Sequence, residues 1–471
     1  MDTPQEPTGA RIIPLFPDRR IAPRRTAHAS PSDNSVNQQR REELDRLLQE
    51  AIRTSHPGDG DLPGKTGAVE LALSSGALYP HVATEDVPYE AAKRGFRTVE
   101  LMLQTAGEYQ PEFIAMTAAN ARDAGVRIHS IHTMESLHRL MSPYARRAEE
   151  GRILFQQAID AATTLGARVI VWHGPEKHEV ATEETWERFL AIARELASSC
   201  GGAGITLGIE NVSRCALSQV RHVAQFARTL GEIGTRDEIG FVFDPFQAME
   251  AGANPFMMLA AMGDRVVDVH ISDYREDDPS ARHLPPGDGD LPWSALLRAI
   301  AGSGYSGPLM IEGALGTGDD VLARVRGRIE PLIADLFRPS RAPVPDIAPA
   351  GLPEGVLQGI ALFNQRKFYE QHEVIEHEWH AEKGPVRRLY QGILQIGVGL
   401  HHALSGNWRG AVSLLTDGVD KVSAFQPEAR GIDTARLVAD SQACLDQIVA
   451  LGPDRMDEFD TSRIPVIQLV V

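Results

Sequence analysis

From Val69 onward, short β-rich runs alternate with segments whose apolar residues recur every three or four positions. Eight runs stand out: VELALS (69–74), TVELML (98–103), VRIHSIH (126–132), RVIVWH (168–173), ITLGIE (205–210), IGFVFD (239–244), VVDVHI (266–271) and LMIE (309–312). Such near-continuous apolar runs belong to strands buried on both faces. The segments between them, such as Ala148 to Leu165 and Thr185 to Ser199, have the spacing of amphipathic helices. Eight strand–helix units in about 270 residues predict an α/β chain folded as a closed (β/α)8 barrel. An open doubly wound sheet is the alternative, but the first run lacks the glycine-rich turn that a dinucleotide site requires.

Right-handed crossovers carry the carboxyl ends of all the strands to one face. The last polar residue of each run from the third to the eighth is His132, His173, Glu210, Asp244, His270 and Glu312. Neighbours in this series are roughly 25 to 40 residues apart, about one βα repeat. All six are therefore expected at one mouth. A single strand-end carboxylate is usually capped or solvated, but three buried together are costly unless a cation neutralises them. Glu, Asp, His and Glu form a mixed oxygen and imidazole set that suits Mn2+, Zn2+, Co2+ or Mg2+ and does not choose among them. The seventh run opens into a long polar loop with Asp273, Arg275, Arg282 and His283, closed by Pro-Gly-Asp-Gly. Structureless loops of that length usually serve a function. Asp273 either orients a ligand from behind or shapes this loop.

IEN at Glu210, FDP at Asp244, VHISD at His270, RHLPPGDGDLPW at 282–293 and IEG at Glu312 are similar to the motifs of one superfamily. From Ala68 to Phe337 the chain resembles the xylose isomerase-like TIM barrels. These include sugar and sugar-phosphate isomerases and epimerases and the endonuclease IV-type repair enzymes. The epimerase branch implies one divalent metal on Glu210, Asp244, His270 and Glu312. Glu210 and Glu312 would then be the acid/base pair on opposite sides of a substrate carbon. Substrate contacts are expected from His132, His173, Gln247, Arg275, Arg282, His283 and Glu100. The repair branch implies a second metal on His132, His173 and Glu210. A third would need a His where Gln247 stands and an Asp-Arg-His triplet where Ala281-Arg282-His283 stands, so two of its ligands are missing. Gln247 also replaces a His with which many epimerases touch substrate.

The formal net charge of −17 argues against nucleic acid as a general partner, which would call for a basic surface. Three widely separated cysteines without a CxxC pair fit free thiols in a reducing cytoplasm. No window is apolar enough for a membrane span. The expected organisation is a disordered tail over 1–65 with a short helix at 40–54, the barrel over 66–337, a Pro-rich linker at 338–350, a small all-α domain over 351–450 and a tail over 451–471. Leu389, Ile393, Ile396, Leu400 and Leu404 mark one apolar helix face in the all-α domain. Its FYEQHEVIEHEWH and QGILQIGVGLHHALSGNWRGA stretches resemble a helical family of unknown function. A buried polar network between two helices is expected there, with a site built on His401 or His402 as the alternative. The functional expectation is a metal-dependent isomerase or epimerase of a sugar, polyol or sugar phosphate. A metal-dependent phosphodiesterase and a non-catalytic metabolite sensor are the alternatives, and homo-oligomerisation is left open.

Overall fold

The computed structural model describes residues 69–134, 139–275, 278, 280–316, 319–336 and 351–470. The expected tail over 1–65, its helix at 40–54 and the linker at 338–350 lie outside the described residues. Eight strands close into one parallel barrel: β1 (Leu71–Ser74), β2 (Thr98–Leu103), β3 (Arg127–Thr133), β4 (Val169–Trp172), β5 (Thr206–Glu210), β6 (Ile239–Phe243), β7 (Val266–Ile271) and β8 (Leu309–Ile311). Pairing of Leu71, Ala72 and Leu73 with Leu309, Met310 and Ile311 completes the ring.

Helices α1 (Val87–Lys93), α2 (Pro111–Ala124), α3 (Ala145–Leu165), α4 (Glu183–Gly202), α5 (Val220–Ile233), α6 (Pro245–Glu250), α7 (Pro255–Met262), α8 (Trp293–Gly302) and α9 (Asp319–Leu336) lie between and after the strands. Their ends are marked in the sequence: Thr182 caps α4, and α3 stops at Gly166 in the left-handed region.

Side chains alternate across a strand, so one parity faces the helices and the other the barrel interior. Ile170, Trp172, Leu207, Ile209, Val269, Ile271, Leu309 and Ile311 join the large core. The opposite parity holds Val169, Val171 and Val242, which with Val267 form a separate apolar cluster. His173, Glu210, Asp244, His270 and Glu312 share that second parity with their strands, which sets them above this floor. At Gly208 a Cβ would come within 2.6 Å of Val242 Cγ2, so the crowded interior needs a glycine there.

Beyond the barrel, α10 (Glu354–Asn364), α11 (Phe368–Ala381), α12 (Arg387–Leu404), α13 (Trp408–Ser423) and α14 (Thr434–Leu451) pack on one another. Leu389, Ile393, Ile396 and Leu400 are buried along α12 as expected, whereas Leu404 is exposed because the helix ends there. The all-helical reading of this segment missed a short antiparallel pair, Glu428–Ala429 with Ile432–Asp433. The apolar C-terminal stretch reaches the same place: Leu469 bridges Ile432, and Asn364 exchanges two hydrogen bonds with the Ile467 backbone.

The helical segment docks on the barrel's α7–α8 face. Phe256 meets Trp408 edge-on at 5.8 Å, Ser294 Oγ donates to Asp417 at 2.8 Å, and Asn254 Nδ2 donates to the Val449 carbonyl. Of the polar residues of α11, Glu373, His377 and His380 face solvent, whereas Gln371 is fully buried against Gly397 of α12. Among the described residues, no metal-competent group involves His401 or His402. No described helix is long and apolar enough to cross a membrane.

Candidate metal centre

Six strands, β3 to β8, deliver polar side chains to the barrel mouth. Glu210 ends β5, Asp244 follows β6, His270 lies near the end of β7 and Glu312 follows β8. One ligand atom from each of these four lies within 4.8 Å of the others. His270 Nδ1 is 3.5 Å from Glu210 Oε1 and 3.6 Å from Glu312 Oε2. Beside them, His132 of β3 and His173 after β4 form a second such group with Glu210. Their Nε2 atoms are 2.6 Å apart, and Glu210 Oε2 lies 3.5 Å from the first and 3.3 Å from the second.

The local structure leaves one atom of each residue free for this centre. Asp244 is the N-cap of α6, and its Oδ1 accepts from Phe246 N at 2.7 Å and Gln247 N at 3.1 Å. Oδ2 of the same carboxylate is buried with no hydrogen-bond partner among the described residues. Glu210 Oε2, Glu312 Oε2, His270 Nδ1 and His132 Nδ1 are in the same condition. A buried polar atom without a partner is costly, and a cation held among these residues would relieve that cost. The donor set and its unpaired atoms therefore fit a divalent cation.

Glu100, inside β2, lies directly behind. A register irregularity in the β2–β3 pairing at Val99/Glu100 accompanies its placement. Its carboxylate accepts from Ser74 Oγ at 2.9 Å, Ser130 Oγ at 2.9 Å and His270 Nε2 at 3.1 Å. Burial works to raise the Glu100 carboxyl, but His270 and His132 together outweigh it and hold it well below the usual carboxylate range. Burial likewise opposes the charge on His270, and Glu100, Glu210 and Glu312 overcome it, raising that imidazole well above its ordinary value. Asp244 moves the other way: burial, then Glu312 and Glu210, push its carboxyl well up.

The remaining expected residues are held by contacts of their own. Gln247 is buried, and its Oε1 accepts from Ser213 N at 2.8 Å, tying α6 to the loop after β5. His283 is half-buried, 4.3 Å from the Phe246 ring. Arg282 pairs with Glu250, and exposed Arg275 reaches the Asp288 carbonyl at 3.5 Å. Two contributors were not singled out from sequence. Asn211 clamps Asp244 by donating to its carbonyl and accepting from its N–H, both at 2.8 Å. Arg214 Nη2 lies 3.3 Å from His173 Nδ1. The Asn of the IEN motif was the available signal for the first; Arg214 sits in an ordinary polar loop. Asp273 is settled as a loop-shaping residue, since its carboxylate accepts from Tyr274 N, Gly287 N, Leu291 N and Trp293 Nε1.

An eight-stranded parallel barrel with carboxylates and imidazoles gathered at its C-terminal mouth defines the class: a TIM barrel of the kind that carries its site at the strand ends. Residues 88–324 match the model of the xylose isomerase-like TIM barrel, and the chain belongs to that family. Residues 356–414 match a domain of unknown function, DUF309. Among relatives, an L-ribulose-5-phosphate 3-epimerase of Shigella flexneri is 25% identical over 209 residues, covering 43% of this chain and 70% of that protein. A probable endonuclease 4 of Mycobacterium ulcerans is 24% identical over 255 residues, covering 53% and 97%. The solved structure of an L-ribulose 3-epimerase aligns with 21% identity and a TM-score of 0.48 over 58% of this chain and all (100%) of that one.

Proposed function

We propose that this barrel is a divalent-metal-dependent isomerase or epimerase acting on a sugar, polyol or sugar phosphate. The observation that carries the reading is the buried cluster of Glu210, Asp244, His270 and Glu312, each with a ligand atom within 4.8 Å of the others, in which Asp244 Oδ2, His270 Nδ1 and Glu312 Oε2 have no hydrogen-bond partner among the described residues. These four residues would hold the cation. A divalent cation there supplies Lewis-acid polarisation of a carbonyl and its neighbouring hydroxyl, which makes the adjacent C–H more acidic. Glu210 and Glu312 are the acid/base pair: one carboxylate takes the proton from carbon and the other returns one to the opposite face. Glu100 acts as a positioning residue by holding His270 Nε2–H. His132 and His173 sit beside Glu210 and are placed to orient substrate hydroxyls. Gln247, with its carbonyl oxygen already bonded to Ser213 N, supports the wall of the site.

Incubation with a panel of ketoses, ketose phosphates and related polyols in D2O tests this. The expected result is solvent deuterium entering one C–H of a panel member, abolished by chelator and by Glu210→Gln. Tight metal binding without exchange across the panel would overturn it.

One observation favours a second reading, a metal-dependent phosphodiesterase. The His132, His173 and Glu210 group offers a second cation site beside the first. Chelator-sensitive cleavage of abasic-site DNA, lost in Glu210→Gln, would establish it. The acidic net charge and the Ala281 replacement favour the sugar reading, while Gln247 departs from both branches.

A further inference from the structure

We infer that the helical domain is a working part of the barrel's site. Arg409, in the first turn of α13, positions His283 by pinning the outer turn of the β7–α8 loop. What His283 does in turnover rests on the reading above; the pinning does not.

The inference starts from His283. Its backbone lies in the left-handed region at φ 47°, uncommon for a residue with a side chain. Such a conformation persists only when its surroundings enforce it. Here Ala314 N, two residues after Glu312, donates to the His283 carbonyl at 2.9 Å. Next to it, Leu284 and Asp273 exchange two backbone hydrogen bonds at 2.8 Å. The Asp273 carboxylate then gathers Gly287 N, Leu291 N and the Trp293 indole, so the inner half of the loop is folded around one buried charge. Gly289 presses so closely on the Tyr274 carbonyl and the Asp273 carboxylate that a Cβ would collide with both. Gly313 is pressed in the same way against the Leu284 carbonyl. Movement of the outer turn is thus passed by backbone contact to His283 and to the residue after Glu312.

That outer turn, residues 287–290, is held by cations from two sides. Arg324 and Arg328 of α9 pair with Asp288. From the helical domain, Arg409 pairs with Asp290 and donates to the Gly289 carbonyl at 3.2 Å. Arg409 is 48% exposed, and ion pairs that open to solvent add little to global stability. Its effect is therefore on loop position, where small displacements weigh heavily on a site.

The test uses the full-length chain and hydrogen exchange read by mass spectrometry. In Arg409→Ala, amides of 283–291 should exchange about fivefold faster or more while those of α13 stay protected. Asp290→Ala should match it, the double variant should add nothing further, and Arg409→Lys should restore part of the protection. Zinc stoichiometry should be unchanged. Where a sugar substrate has been found, KM should rise about tenfold with a smaller change in kcat. Wild-type exchange of 283–291 in Arg409→Ala, or equal loosening of α13, would overturn the inference. If no sugar is turned over by the unmodified chain, the enzymatic reading fails while the exchange result still decides the role of Arg409.

Discussion

His270 Nε2 lies 3.1 Å from Glu100 Oε2, while Nδ1 of the same ring faces Glu210 and Glu312 at 3.5 and 3.6 Å. A carboxylate only accepts, so Nε2 carries a hydrogen toward Glu100, and Nδ1 is the ring atom that would be left to face a cation. Removing this support should weaken metal binding without removing a ligand. In Glu100→Ala, Zn2+ affinity by calorimetry should fall about 10- to 100-fold. Glu100→Gln should lose less, because its carbonyl oxygen still accepts from Nε2. An affinity within twofold of the parent in the alanine variant would contradict this assignment.

Asp244 has two separable tasks, one oxygen capping α6 and the other facing the cluster. Asn caps a helix about as well as Asp. Asp244→Asn should therefore keep the apo-protein's melting temperature and lose most of its affinity for the cation. Asp244→Ala should lose both, at a cost near 1 kcal/mol for the missing cap. Equal destabilisation by the two substitutions would show that the second oxygen has no separate role.

Removal of the cation should expose the repulsion among Glu210, Asp244 and Glu312. A ligand at 100 times its Kd stabilises by about 2.7 kcal/mol. Exhaustive chelation should then lower the barrel's melting temperature by roughly 5 °C or more, and Zn2+ should restore it. An unchanged melting curve, with loss of metal verified by elemental analysis, would argue against a shared ion.

Burial pushes the thiols of Cys200 and Cys444 up to about 12. At pH 8 their thiolate fraction is about 10³-fold below that of an open cysteine, so both should resist iodoacetamide until denaturant is added. The sign for stability follows. Unfolded thiols ionise near pH 8.5 and folded ones much higher, so this contribution is complete below about 8.5 and declines as pH rises toward 12. Rapid alkylation of both thiols in the native chain would be inconsistent with their burial.

The strand ends were legible because a strand buried on both faces keeps an apolar run up to its mouth, where His132, Glu210 or Asp244 interrupts it. In the folded barrel, the two-residue alternation of each strand sets which side these groups face. Glu100 was ambiguous because it interrupts an apolar run mid-strand. Its contact with His270 depends on β2, β3 and β7 coming together, which no local pattern encodes. The pairing of Arg409 with Asp290 joins two separately folded elements, and neither residue stands out in its own neighbourhood. Asn407 starts α13, its side chain accepting from Gly410 N at 2.9 Å, a cap of the kind a sequence can show locally. The C-terminal IPVIQLVV announced by its apolarity that it pairs, not that Ile432 and Asn364 receive it.

Crystals grown or soaked with Zn2+ and measured at the zinc absorption edge give the most direct test of the central claim. The expected map has an anomalous peak at the barrel mouth, about 2.0–2.2 Å from Glu210, Asp244, Glu312 and Nδ1 of His270. A fully occupied crystal with no peak among these four, or a peak bound through His270 Nε2, would contradict it.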